Sequence, residues 1–153
     1  MLLATTFKRY FTSFMSKPIS ILLFFLISIG LNAQQIDFEQ GTFNEAIRKA
    51  QKENKLIFVD VYTDWCGPCK MLEQKIYIKP EVGKVFNKYF ISLKINAEKG
   101  DGITFAKDFN VSEYPTLLFL DKNGFFVHQD SGYMPAGDLL KNVATVLQLT
   151  QQK

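Results

Sequence analysis

Cys66 and Cys69 stand three positions apart, at the seam between the apolar, β-branched run Leu56–Tyr62 (LIFVDVY) and a helical stretch that continues to about Tyr77. This spacing limits what the chain can fold into more than any other feature. A pair so close closes almost no loop, so it cannot serve as the framework of a small disulfide-stapled fold. It can close a small ring, best where the first cysteine just precedes a helix and the second lies in its first turn. The free amides and dipole of that helix N-terminus then favour the Cys66 thiolate, the attacking species. Cys69 is placed to attack a mixed disulfide at Cys66 and release the bound thiol. Gly67 keeps the approach to the sulfur clear, and Pro68 fits a first helical turn, where its missing N–H costs nothing. A structural disulfide and half of a zinc site share this motif. Zinc takes four ligands, however, and the sequence adds a single histidine, His128, so no metal is expected.

The flanking pattern alternates helices with short strands. Thr42-Phe43-Asn44-Glu45 reads as a capping box, followed by Phe43, Ala46, Ile47 and Ala50 at helical spacing to about Asn54. Leu56–Tyr62 is apolar at nearly every position, as a strand buried on both faces requires. Asp60 is the exception, and an unpaired buried carboxylate is costly and tends to hold its proton. Pro80 breaks the helix after the cysteines and opens another, with Val82, Val85, Phe86 and Tyr89 on one face. Further strands are expected at Phe90–Asn96, Thr116–Leu120 and Phe125–Gln129, the last two joined by a turn at Asn123-Gly124. A short helix is expected at Ile103–Phe109, after the loop Gly100-Asp101-Gly102. Gly132 interrupts the pattern as a bulge or a close approach would. A last amphipathic helix carries Leu139, Leu140, Val143, Ala144 and Leu147, and Ile36–Phe38 has the composition of a short lead-in strand. The order is α, β, α, α, β, α, β, β, α. Helices between the early strands imply parallel crossovers, and the final hairpin an antiparallel edge. The fold class is α/β, with a mixed central sheet flanked by helices.

Residues 1–33 read as a secretory signal peptide ahead of a single domain at 34–153. Lys8, Arg9 and Lys17 are unaccompanied by acids, the apolar block Ile19–Leu31 follows, and small Ala33 marks the cleavage edge. Thirteen helical residues reach about 20 Å, short of the roughly 30 Å hydrocarbon core of a bilayer. The alternative is an uncleaved signal that anchors the protein to the membrane. Without this segment the remaining 15 basic and 15 acidic residues cancel, which gives no electrostatic reason to expect nucleic acid as a partner.

The segment Trp65-Cys66-Gly67-Pro68-Cys69-Lys70, set after a buried strand, resembles the active site of the thioredoxin family. Asp60 falls six residues before Cys66, where thioredoxins carry a buried acid that assists proton transfer at the second cysteine. Lys94 matches the family's lysine near that acid. Tyr114-Pro115-Thr116 resembles its cis-proline segment, although Glu113-Tyr114 stands where thioredoxins commonly have glycine and an aliphatic residue. Gly132 matches a glycine that lines the docking groove, and Trp65 adjoins the disulfide on the docking face. The resemblance runs from about Phe43 to Leu149. The Met71–Tyr89 region, with its Pro80 break, is similar to the reducing thioredoxin-like domains of periplasmic thiol:disulfide interchange proteins.

The resemblance implies a thioredoxin-like fold and an exported, periplasmic thiol:disulfide oxidoreductase with a redox-active Cys66–Cys69 pair. Asp60 and Lys94 would join it in catalysis, with Trp65, Gly67, Pro68, Tyr114, Pro115 and Gly132 at the substrate. The client would be a protein disulfide, reduced or isomerised. A protein-disulfide oxidant of the same fold, or a client-binding module with slow redox chemistry, are the alternatives. No cofactor beyond the dithiol is expected, and the chain has no G-x-G-x-x-G dinucleotide fingerprint. Electrons must then come from a partner, for which the resemblance suggests a membrane thiol-electron donor. A monomer with no stable membrane span after processing is expected. Intact-mass spectrometry of the exported protein should give a chain that starts at Gln34; a retained 1–33 segment would replace cleavage with an anchor.

Overall fold

The computed structural model describes residues 35–151, all within one compact unit. The signal-peptide reading of residues 1–33 lies outside the described residues. Thr42 opens α1 (Phe43–Glu53) through the expected capping box: the Glu45 amide donates to Thr42 Oγ1 at 3.3 Å and the Thr42 amide to Glu45 Oε2 at 2.8 Å. Asn54, in the left-handed conformation at φ 52°, ends the helix and turns the chain into β1 (Leu56–Tyr62). There follow α2 (Gly67–Lys75), α3 (Pro80–Tyr89), β2 (Phe90–Asn96), α4 (Gly102–Asp108), β3 (Thr116–Leu120), β4 (Phe126–Ser131) and α5 (Ala136–Gln151). The sequence of element types is the one expected. Pro80 sits in the first turn of α3, and the lead-in at Ile36–Phe38 reduces to a single parallel bridge, Phe38 with Ser92.

The sheet order is β2-β1-β3-β4. β1 pairs with β2 in parallel, with Asp60 opposite Lys94, and with β3 antiparallel, with Asp60 opposite Leu117. The expected parallel crossover holds from β1 to β2 and fails from β2 to β3: β3 runs against β1 and lies inside the sheet. The connection, residues 97–115, carries only the seven-residue α4, about 10 Å long, and the chain re-enters the sheet from the end where β2 stopped, so β3 runs the other way.

Alternation along β1 sends Phe58 and Asp60 to one face and Ile57, Val59 and Val61 to the other. Phe58 packs in a core with Leu72, Tyr77, Phe86, Phe119 and Leu139 under α2, α3 and α5. Ile57, Val59 and Val61 pack with Ala46, Ala50, Phe105 and Leu118 under α1 and α4. Both faces of β1 are thus covered, which accounts for its continuous apolar composition and leaves Asp60 fully buried.

Two glycines carry specific duties. Gly132, at φ +86°, has open space where a Cβ would stand, so it serves a left-handed turn after β4 rather than the bulge or close approach expected from sequence. The irregularity in pairing lies instead between Phe119 and Leu120, opposite the start of β4. Gly102 is different, because a Cβ there would overlap the Asn96 carbonyl oxygen at the end of β2. Gly102→Ala must displace backbone, and it should lower stability by about 2 kcal/mol, read as a lower midpoint of urea unfolding at unchanged slope.

Candidate active site

β1 delivers the chain to a tight bend at Thr63–Trp65, where the Cys66 amide donates to the Thr63 carbonyl at 3.2 Å. Cys66 is the N-cap of α2: its backbone is still extended, and its Sγ accepts the Cys69 amide at 3.1 Å. Cys69 lies inside the first turn. The two are disulfide-bonded, with Cα atoms 5.4 Å apart. The sulfur of Cys66 therefore occupies the place of a capping oxygen, where the free helix amides favour negative charge. In this oxidised form exposure does not separate the two cysteines, which are 2% and 5% exposed. What separates them is position, one at the helix N-terminus and one within the helix. Gly67 and Pro68 form the exposed front of the turn, and a Cβ at Gly67 would meet nothing, so its side is open to an incoming molecule.

The bend is braced from the end of β2. Asn96 donates to Asp64 Oδ1 at 2.8 Å, and Lys99 pairs with the other Asp64 oxygen. The Trp65 indole N–H is shared between the two Glu98 carboxylate oxygens at 3.0 and 3.1 Å. Trp65 nevertheless remains 67% exposed, and its ring meets Tyr114 edge to face with centroids 5.9 Å apart. The Tyr114–Pro115 peptide is cis. The Pro115 carbonyl accepts the Gly132 amide at 2.8 Å, and Glu113 accepts the Ser131 hydroxyl at 3.0 Å, so the proline loop and the turn after β4 are tied together. Trp65, Tyr114, Pro115 and Gly132 come together through these contacts.

Asp60 lies on the sheet face under α2. Burial pushes its carboxyl up to about 7, with Glu73 adding to the effect, while Lys94 and the Tyr77 hydroxyl pull it down. Neither carboxylate oxygen has a hydrogen bond of good geometry; Tyr77 stands close enough to bias the carboxyl without completing one. Lys94 faces Asp60 across the β1–β2 ladder, but its ammonium is drawn to Glu73 Oε1 at 3.0 Å and lies 4.8 Å from the Tyr62 ring centre. A half-ionised carboxyl under the helix of a disulfide can take up or return one proton near neutral pH.

This arrangement joins a capping cysteine, a second cysteine in the first turn, a buried acid behind them and a cis-proline loop in front. The family model described as thioredoxin-like matches residues 37–122. The chain belongs to the thioredoxin-like family. It has the fold of a thioredoxin-like disulfide oxidoreductase, with its cysteine pair joined. Among solved structures, it is 40% identical to a candidate disulphide-isomerase from Bacteroides thetaiotaomicron, with a TM-score of 0.68 over 76% of this chain and 96% of that one. A thioredoxin from Thermus thermophilus shares the fold at 20% identity, with a TM-score of 0.66 over 73% of this chain and 88% of that one. The thiol:disulfide interchange protein DsbD of Tatumella citrea is 31% identical over 97 residues, 61% of this chain; the match spans 17% of the length of DsbD.

Three participants in this thioredoxin-like site were not singled out from sequence. Glu73 and Tyr77 follow Cys69 at intervals of four, the spacing that stacks side chains along one helix face. That signal was present but weak, because the helix itself ends at Lys75. Glu98 gave no signal, since its contact with Trp65 crosses 33 residues.

The buried acid makes stability depend on pH. Unfolded, Asp60 ionises near 3.8; folded, near 7. Between these values the folded protein holds a proton that the unfolded chain has lost, so stability falls as pH rises from about 4 to about 7 and is level above. The span corresponds to about 4 kcal/mol at most. Denaturant unfolding of the oxidised protein should show a higher midpoint at pH 5 than at pH 8, and Asp60→Asn should remove most of that difference.

Proposed function

We propose that this protein is an exported disulfide reductase or isomerase that acts on client proteins through the Cys66–Cys69 dithiol. The observation that carries the reading is Cys66 Sγ seated as the cap of α2, with Asp60 buried behind the same helix. In the reduced protein the Cys66 thiolate attacks one sulfur of a client disulfide. A mixed disulfide forms, and the second client sulfur leaves with the bond's electron pair and takes a proton. Cys69 then loses its proton to Asp60 and attacks Cys66 Sγ. The Cys66–Cys69 bond forms, the client's remaining sulfur leaves as a thiolate and is protonated, and the client has gained two electrons and two protons. Isomerisation is the same first step followed by attack of another client thiol on the mixed disulfide.

Trp65, Tyr114, Pro115 and Gly132 serve as the docking surface, with Gly67 and Pro68 leaving the sulfur open. Lys94 acts on Asp60 from across the ladder. A membrane thiol-electron donor restores the dithiol, a partner suggested by the kinship with DsbD. The Bacteroides thetaiotaomicron candidate disulphide-isomerase supports the choice of clients. Export to the periplasm rests on the basic, apolar and small-residue order of residues 1–33, and among the described residues no helix is long and apolar enough to cross a membrane.

The direction of electron flow follows from how strongly the reduced form is stabilised. Gly67-Pro68 brings no histidine to stabilise the thiolate, and Asp60, when ionised, opposes further negative charge beneath the helix. Both favour a reducing poise. Equilibration with glutathione buffers should place the couple nearer the ~−270 mV of thioredoxin than the ~−120 mV of the strong oxidant DsbA. A value above about −180 mV would assign the protein to disulfide donation. Absence of turnover in a reductant-coupled disulfide assay, with client binding retained, would make it a binding module.

A further inference from the structure

Asp60 is not alone in lacking partners. The Tyr77 hydroxyl, Ser92 Oγ and Thr63 Oγ1 are also buried without a hydrogen bond. Such atoms are uncommon in folded proteins, and each calls for an explanation. Asp60 and Tyr77 adjoin: Tyr77 packs on Phe58, two residues before Asp60 and on the same face of β1, and each group bears on the other's ionisation. Their faults are complementary: the carboxylate has two acceptors without a donor, and the phenol a donor without an acceptor.

The phenol is held rigidly in that position. Tyr77 packs between Phe38 and Phe58, at centroid distances of 5.3 and 6.3 Å. Its amide donates to the Leu72 carbonyl at 2.9 Å and its own carbonyl accepts the Ile36 amide at 2.8 Å. Burial first, and then the neighbouring Asp60, push the phenol well above its usual range, so it keeps its proton wherever the enzyme works and always acts as donor. The other charged groups that bear on Asp60 are Lys94 from β2 and Glu73 from α2, and these two pair with each other at 3.0 Å. Their opposing effects on Asp60 partly cancel, and the phenol acts with what remains of Lys94 to favour the ionised carboxyl against burial. In the oxidised protein the cysteines on α2 carry no charge.

We propose that Tyr77 is a positioning residue whose hydroxyl donates to the Asp60 carboxylate as it ionises, and so sets how much of Asp60 is ready to accept the proton of Cys69. The inference rests on the proton-accepting role proposed above for Asp60. No bond is made or broken at Tyr77; it holds the carboxylate in orientation and lowers the energy of its charged form.

Tyr77→Phe keeps the ring and removes the hydroxyl. Without that donor the Asp60 carboxyl should titrate about one unit higher, as read by carbon NMR of the labelled carboxyl. The midpoint for release of a preformed Cys66 mixed disulfide should rise by the same amount, while the rate of the first attack by Cys66 is unchanged. In an Asp60→Asn background Tyr77→Phe should have no further effect on release. A carboxyl midpoint that does not move overturns the proposal. A carboxyl midpoint that moves while release keeps its pH profile overturns both the positioning role and the role given to Asp60, and leaves a contact of no consequence for the reaction. Should Tyr77→Phe fail to fold, 3-fluorotyrosine placed at position 77 supplies a stronger donor of almost the same shape. It should lower both midpoints, and no shift, or a rise, overturns the proposal.

Discussion

β1 is hydrogen-bonded on both sides and covered on both faces, and the rest of the molecule is arranged around that position. A strand so placed has no edge at which to admit water, so every residue on it must be apolar or find a partner inside the protein. Asp60 meets neither condition fully. Its carboxyl keeps an environment of one phenol, one ammonium and one further carboxylate, none of which completes a hydrogen bond to it. Immediately beyond its end, the same strand starts the bend that places Cys66 at the head of α2. The disulfide and the buried acid are therefore fixed relative to each other by a single short, stiff element.

This economy explains why the flexible-looking parts of the site are braced from elsewhere. The bend at Thr63–Trp65 cannot be held by β1 alone, since it lies outside the sheet. Asn96 at the end of the parallel partner strand, and Glu98 and Lys99 just past it, hold Asp64 and Trp65 from the side. On the opposite side the turn at Gly132 supports the proline loop through one backbone bond. Each brace comes from the end of a strand neighbouring the bend, so the sheet order β2-β1-β3-β4 sets the outline of the docking surface. Because β3 runs back from the end where β2 stops, Pro115 is brought to that end too; a parallel β3 would have carried it to the far side of the molecule.

The energetic balance at Asp60 also bears on the chemistry. Keeping a carboxyl buried with a pKa about 7 sacrifices stability at neutral pH, and a leucine at the same place would avoid the loss. Retention of an acid here is understandable as a working group, in that a carboxyl which is half-ionised near neutrality exchanges its proton with least bias in either direction. The surrounding charges are arranged so that none of them drives it far from that point.

Much of this was legible in the chain itself. The capping box at Thr42–Glu45, the run Leu56–Tyr62, the proline at the head of α3 and the cysteine pair are each determined by residues a few positions apart, and each took the form that local chemistry dictates. Their order was enough to name the fold class, and the six-residue step from Asp60 to Cys66 was enough to single out the acid. The direction of β3, the role of Gly132 and the surroundings of Asp60 were settled by tertiary structure. Strand direction depends on the end at which a connection re-enters the sheet, and the stretch between β2 and β3 is long enough to reach either. The acid's neighbours, Tyr77, Glu73 and Lys94, are between 13 and 34 residues away along the chain. No local pattern encodes such a meeting, because a carboxyl's ionisation is governed by whatever the fold places within a few ångströms of it, whereas helices, strands and turns are governed by the next few residues in line.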